Sequence, residues 1–453
     1  MALQPLAPKG HFLSGNIPEF TNDTLAFLLD IRQYGNLASF MFGPFRAYAV
    51  NSPELVHQVL VTDADKFYKP NSLKKSTFPV VGNGLFTNDG DFWKRQRRLV
   101  QPAFHTKRIG AYGEVMVEHA QALISRWRGG EVYDIDHEMV RLTMGIVSKT
   151  LFDADVSSEA NEISEMVTNA LEVVNKRLDR LMNFPEWFPT PENRRIHRAV
   201  ERLDVMIQRF IDDRRKSGED KGDLLSMLLM ARDEDSGDGM TDQQVRDEAM
   251  TVFGAGHETT AAALMWTWYL ISQHPEVEAK LIEELDTVLN GRAPELSDLP
   301  RLTYTEMVIK EAIRLYPPAW SLTRETVADV ELGGYPIKKG HVVILNVYGM
   351  HRDARYFPDP ERFDPERFSA ENEKTIPKYA YLPFGGGPRV CIGNAFAMME
   401  AKLIVATIAP HFRLELAPDQ VVKPQRVFTL RSKYGMRMFA TERERASEAP
   451  VMA

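Results

Sequence analysis

Phe384-Gly385-Gly386-Gly387-Pro388-Arg389-Val390-Cys391-Ile392-Gly393 is the stretch that decides how the rest of this chain is read. It holds the only cysteine in 453 residues, which excludes an intramolecular disulfide, a four-cysteine zinc site and a four-cysteine iron–sulfur cluster within the chain. Its glycines allow a tight loop with backbone N–H groups turned inward, donors that can steady a thiolate. A long helix is predicted to begin near Gly393 and run through AFAMMEAKLIVATIA. Its positive N-terminal end would lie beside the cysteine and lower a thiol pKa. Alone, a single cysteine is more often a small buried hydrophobe, and a glycine run is more often a turn. No Gly-Lys-Ser/Thr follows the run, which disfavours a phosphate-cradling loop.

Upstream, Glu311 and Arg314 stand three apart in KEAIRLYPP and share one helix face, though exposed pairs of this kind contribute little. Farther upstream, Ala255-Gly256-His257-Glu258-Thr259-Thr260 interrupts an apolar stretch from Ala249 to Ile271. That stretch is about as long as a bilayer is thick, but its charges and glycines predict a buried core helix. Glycine inside a helix costs roughly 1 kcal/mol relative to alanine, so Gly256 is read as leaving room for a planar ligand. Thr259 can return its hydroxyl to the backbone and open a notch in the helix. His257-Glu258 is not a zinc-protease helix, because position 261 is Ala.

Apolar residues at 44% and charged residues at 26% place the chain among globular proteins. A formal charge of -8 offers no overall field for nucleic acid, so none is expected as a partner. The N-terminal stretch has neither a secretory pattern nor a membrane-length apolar run, and the expected location is cytoplasmic. Helical periods dominate from Phe92 to about Asn290. Residues 37–50 suggest a hairpin, HVVILNVY a strand, and RVFTLRSKYGMRMF a second hairpin. The expected fold is mainly α with a smaller β portion: a single domain over 1–453, a disordered tail from about 440 and no fused reductase.

Taken whole, the ten-residue stretch matches without a departure the haem-binding signature Phe-Gly-x-Gly-x-Arg-x-Cys-x-Gly, so the chain resembles the cytochrome P-450 family. The resemblance runs from about Gly10 to Phe439 and implies haem b, iron protoporphyrin IX, held between a long distal helix and the helix after the cysteine loop. Cys391 would ligate the iron, and a thiolate ligand favours O–O cleavage. Phe384, Gly385 and Gly393 would shape the loop, and Ala255 and Gly256 would face the cofactor. Trp93, Arg97, Arg324 and Arg389 would meet the propionates. Glu311 and Arg314 would be joined by Arg367 of the segment Phe363-Asp364-Pro365-Glu366-Arg367-Phe368, in preference to Arg362 of the earlier Pro-Glu-Arg-Phe copy. Thr259 and Glu258 would form the acid–alcohol pair that delivers protons to dioxygen.

The implied activity is a monooxygenase that hydroxylates or epoxidises an apolar small molecule. The alternatives are a peroxide-driven peroxygenase or isomerase, which the Glu258-Thr259 pair argues against, and a non-catalytic haem sensor. No dinucleotide or flavin motif is visible in the chain. NAD(P)H electrons are therefore expected through separate proteins, a ferredoxin or flavodoxin-type donor with its reductase, and the cluster Lys94-Arg95-x-Arg97-Arg98 is a candidate dock for an acidic one. A monomer without an integral membrane segment is expected. Val80, Val81, Val174, Leu178, Ala319, Leu322 and Phe428 are the expected pocket lining. AGHETT, RLYPPAW and FAMMEAK resemble bacterial relatives of the fatty-acid hydroxylases, making a fatty acid the first substrate expected, with terpenoids and steroids open. Arg46 and Tyr48 are candidates to receive a carboxylate. The apolar loop at 181–191 either covers an entrance, touches a membrane surface or tucks into the core.

Overall fold

Thr241 starts the longest helix, Asp242–Gln273, with a reciprocal cap: its hydroxyl accepts from the Gln244 N–H while the Gln244 side chain receives the Thr241 N–H. From Val245 onward most of this helix is buried on all sides, so it runs through the interior as an axle. The computed structural model that shows this describes residues 4–105, 109–154, 159–180, 183–233 and 237–443. Helix Ile135–Phe152 lies along the axle, and helices Thr303–Leu315 and Asn394–Ile408 pack on it from other sides. One apolar core spans all four. No helix among the described residues is long and apolar enough to cross a membrane.

The strands, in chain order, are β1 (Leu37–Phe42), β2 (Phe45–Val50), β3 (Phe67–Tyr68), β4 (Glu131–Asp134), β5 (Leu322–Thr326), β6 (Val330–Leu332), β7 (Tyr335–Ile337), β8 (Val342–Leu345), β9 (Phe412–Leu416), β10 (Pro424–Arg426), β11 (Leu430–Ser432) and β12 (Arg437–Glu442). A five-stranded sheet has the order β1-β2-β8-β5-β3, with β2 and β8 parallel. The expected hairpin at 37–50 is β1–β2. The chain is a member of the mainly α class with a smaller β portion, as its sequence suggests.

Two expectations need correction. RVFTLRSKYGMRMF is not one hairpin: β10 and β11 pair tightly around residues 427–429, whereas β12 leaves to join β4 and β9. Gly435, at a φ of 71°, turns the chain between these two sheets. The C-terminal end is also ordered further than expected, since residues 440–442 belong to β12; residues 444–453 of the expected tail lie outside the described ones.

Candidate active site

The cysteine loop is built by hydrogen bonds that its glycines permit. The Cys391 N–H donates to Phe384 O at 2.9 Å, and Val390 N–H to Gly387 O at 3.1 Å. Gly385 and Gly387 have φ of 71° and 64°. A Cβ on Gly387 would fall 1.9 Å from Leu60 O, so glycine is obligatory there. The helix Asn394–Ile408 begins directly after Gly393. Cys391 is accessible at its surface with protein packed densely around it. Burial pushes its thiol up, against the Gly393 N–H and Arg97, which pull it down. The helix end thus acts on the thiol in the expected direction, and burial outweighs it in the free side chain. Metal coordination removes a thiol proton outright.

A buried network supports this loop from behind. Glu311 and Arg314 are both fully buried and pair through Nε–Oε2 at 2.6 Å and Nη2–Oε1 at 2.7 Å. Arg367 Nε reaches Glu311 Oε1 at 3.3 Å, whereas Arg362 contributes its carbonyl, to Arg314. Arg314 also donates to His351 O and Pro360 O, each at 2.7 Å. The His351 ring then lies between Arg314 O and the Leu382 N–H, whose hydrogen bond to Nε2 is 2.9 Å. Leu382 stands two residues before the loop, so the network fixes its entry.

His351 must be neutral to accept from Leu382, and burial, then Arg314, push its pKa down to about 3. An unfolded histidine takes up a proton near pH 6.5. Between those values the unfolded chain binds the extra proton, so stability falls as pH drops below about 6.5. Urea unfolding at pH 6.5 and 5.0 is expected to show a loss about 1.5–2 kcal/mol larger for the parent chain than for His351→Gln, which has no titrating group there.

On the other side of the loop, cations gather in excess. Arg389 stacks over Trp93 at 4.3 Å, pairs with Asp89 and donates to Asn88 O, while its Nη1 is buried without a partner among the described residues. Asp89 is claimed by Lys74 as well. Arg324, buried in β5, donates to Thr323 O, and burial together with Arg389 pushes it down to about 10. Arg97 donates to Val390 O at 2.9 Å. Sequence reasoning missed Lys69, which is enclosed beside Arg389 and Arg324, lies 3.7 Å over the Phe86 ring and is held well below the usual lysine range by burial. Nothing in its local sequence marks it. Asp89, paired with Arg389 and Lys74, is the carboxylate that also acts on Lys69 and Arg324; with an orphaned guanidinium nitrogen among these cations and Arg97 beside the loop, the cluster fits an acidic ligand such as a pair of carboxylates.

Ala255 is exposed on an otherwise mostly buried stretch of the axle helix. Gly256 is packed: a Cβ there would meet Val147 Cγ2 at 3.1 Å, so its smallness serves the close approach of helix Ile135–Phe152 rather than a planar ligand. Thr259 Oγ1 donates to Ala255 O at 2.8 Å. Glu258 is buried; Thr429 Oγ1 donates to its Oε1 at 2.9 Å and Arg431 Nη1 lies 3.1 Å from both oxygens. Burial would raise this carboxyl, but Arg431, followed by His257 and the Thr429 hydrogen bond, holds it below the usual range. Arg431 escaped the sequence reading, and Thr429, which resemblance places with Phe428 in the pocket lining, was not expected to hold Glu258.

Val80, Val174, Leu178 and Phe428 meet in one apolar cluster, and Phe428 packs edge-on against Phe86 with ring centroids 5.7 Å apart. Leu322 lies instead against Gly385 of the cysteine loop. Val81 and Ala319 are half-buried outside that cluster. Tyr48 is buried in the sheet with its hydroxyl 3.4 Å from His341 Nδ1, and Arg46 Nη1 donates to Gln4 Oε1 at 2.8 Å. Within the basic run Lys94 pairs with Asp91, Arg95 and Arg98 converge on Asp233 and Arg97 turns inward, while Lys94 and Arg98 stay exposed. Of the loop at 181–191, residues 181–182 lie outside the described ones. Phe184, Trp187 and Phe188 are exposed, which rules out the reading that tucks the loop into the core.

A family model described as Cytochrome P450 matches residues 5–436. Cyclooctatin synthase of Streptomyces melanosporofaciens is 41% identical over 93% of this chain and 92% of its own length. Cyclooctat-9-en-7-ol 5-monooxygenase of the same organism is 39% identical, covering 91% and 90%. Pentalenene oxygenase of Streptomyces avermitilis is 35% identical, covering 96% and 97%.

Proposed function

This chain belongs to the cytochrome P450 family, and we propose that it oxidises a polycyclic terpenoid at a haem whose iron is held by Cys391. It is a haem-thiolate monooxygenase. Bound haem supplies the activation of dioxygen, with one oxygen atom going to the substrate and the other to water. Lys69, Arg97, Arg324 and Arg389 would take the propionates, which gives the cation excess its counter-charge. Ala255 leaves space above the cofactor. The cluster of Val80, Val174, Leu178 and Phe428 excludes water and holds an apolar body by contact area. Thr259 would hand protons into the cavity, resupplied by Glu258. Electrons would come from NAD(P)H through a reductase and a ferredoxin or flavodoxin-type protein, to a monomer in the cytoplasm.

The observation that carries the substrate class is full-length likeness to oxygenases named for pentalenene and cyclooctat-9-en-7-ol. A fatty acid is disfavoured beside it because Arg46 and Tyr48 are engaged elsewhere. Substrate that displaces water from ferric iron shifts the Soret band, which reports binding without turnover. Titrated into oxidised holoprotein, pentalenene is expected to give this shift at a concentration at least about tenfold below that of palmitic acid, a difference of 1.4 kcal/mol or more. The reverse order would contradict the terpenoid reading.

A further inference from the structure

Both oxygens of Glu258 are held by the hairpin β10–β11: Oε1 by Thr429, both by Arg431. Arg431 is itself shared. Its Nε donates to Asp136 Oδ1 at 3.2 Å, and its Nη2 binds the same oxygen. Asp136 lies in the first turn of helix Ile135–Phe152. Two carboxylates therefore compete for one guanidinium. Two further titratable groups lie beside this set: Asp134, next to Asp136, and His257, buried on the same helix as Glu258, with Nδ1 2.7 Å from Phe253 O and burial lowering its pKa. Thr259, meanwhile, is bonded to Ala255 O. The acid and the alcohol, adjacent in sequence, are turned toward different partners.

The hairpin that holds the acid also touches the pocket. Phe428 directly precedes Thr429, and its ring packs against Phe86 and the Val80, Val174, Leu178 cluster. Within four residues, one tip carries a pocket contact and two contacts to Glu258. Displacing Phe428 must strain those two contacts, because the tip is short and closed by the β10–β11 pairing.

We propose that Arg431 is a positioning residue that sets whether Glu258 can reach Thr259, and that a molecule pressing on Phe428 shifts Arg431 from Glu258 toward Asp136. This rests on the monooxygenase reading. Asp136 already holds the guanidinium and keeps it paired throughout, and the cost of leaving Glu258 buried without it is offset when that carboxylate takes up a proton. Released, the Glu258 carboxylate takes one proton from solvent and passes it to the Thr259 hydroxyl as that hydroxyl gives its own to the oxygen atom that leaves as water, so both residues end as they began. Substrate occupancy and proton supply are thereby linked, which limits electron loss while the pocket lacks substrate.

Infrared titration of holoprotein tests this without turnover, the Glu258 band being identified by its disappearance in Glu258→Gln. With Arg431→Gln the burial of Glu258 is no longer offset, and its protonation midpoint is expected to rise by at least about two pH units; Arg431→Lys should bring back most of the shift. An unmoved midpoint overturns the clamp. For the link to the pocket, the probe is 1-phenylimidazole, which ligates haem iron whatever the native substrate. It is expected to change the Glu258 band in the parent chain and to change it less than half as much in Phe428→Ala and Asp136→Asn, variants that retain Arg431. A red-shifted Soret band with no change at Glu258 overturns the link. No Soret shift at all overturns the haem reading beneath it.

Discussion

Cys391→Ser is expected to lower product formation from a bound terpenoid at least about a thousandfold while leaving the fold in place. The loop does not depend on the sulfur: its turn is closed by the backbone bonds of Cys391 to Phe384 and Val390 to Gly387, and its entry is fixed through Leu382 and His351. Serine fits the same space and keeps the N–H donor. What it cannot supply is the electron density with which a thiolate favours O–O cleavage. The check is product per holoenzyme with a surrogate electron donor, beside thermal unfolding of the same preparation. A melting temperature within about 2 °C of the parent, together with lost activity, is the expected pair. Activity within tenfold of the parent would remove Cys391 from the site.

Glu311→Ala is expected to cost about 3–5 kcal/mol, because it strands a fully buried guanidinium. Arg314 keeps its three carbonyl acceptors but loses its only carboxylate among the described residues. The Asp364 N–H and Arg367 Nε lose an acceptor in the same step. Since Arg314 positions His351, and His351 holds Leu382, the damage reaches the cysteine loop and haem retention should fall with stability. Urea unfolding and the haem-to-protein ratio after gel filtration measure both. A loss under about 1 kcal/mol with full haem content would show that the network does not hold the loop.

The sequence was most informative where chemistry is local. The cysteine loop is ten contiguous residues, and Glu311 and Arg314 are one helical turn apart, so spacing alone placed them together. The choice between Arg362 and Arg367 was open to the same reasoning because both segments lie near the loop. Lys69, Arg431 and Asp136 were hidden for the opposite reason. Glu258 and Arg431 are 173 positions apart, and Asp136 and Arg431 are 295, and no period links a helix to a strand over such distances. Gly256 shows a different limit: its composition said that something must come close, but only packing could say that it is Val147 rather than a ligand. In the basic run at 94–98 the Lys94–Asp91 pair lies within one helical turn and was open to reading, whereas Arg98 and Asp233 are 135 positions apart and were not.

The central claim is that Cys391 presents a thiolate to haem iron. The absorption spectrum of the reduced holoprotein under carbon monoxide tests it most directly. A strongly red-shifted Soret band of the kind that thiolate ligation produces is the predicted result, absent in Cys391→Ser. A Soret band at the position given by histidine-ligated haem in the intact parent protein would contradict the claim.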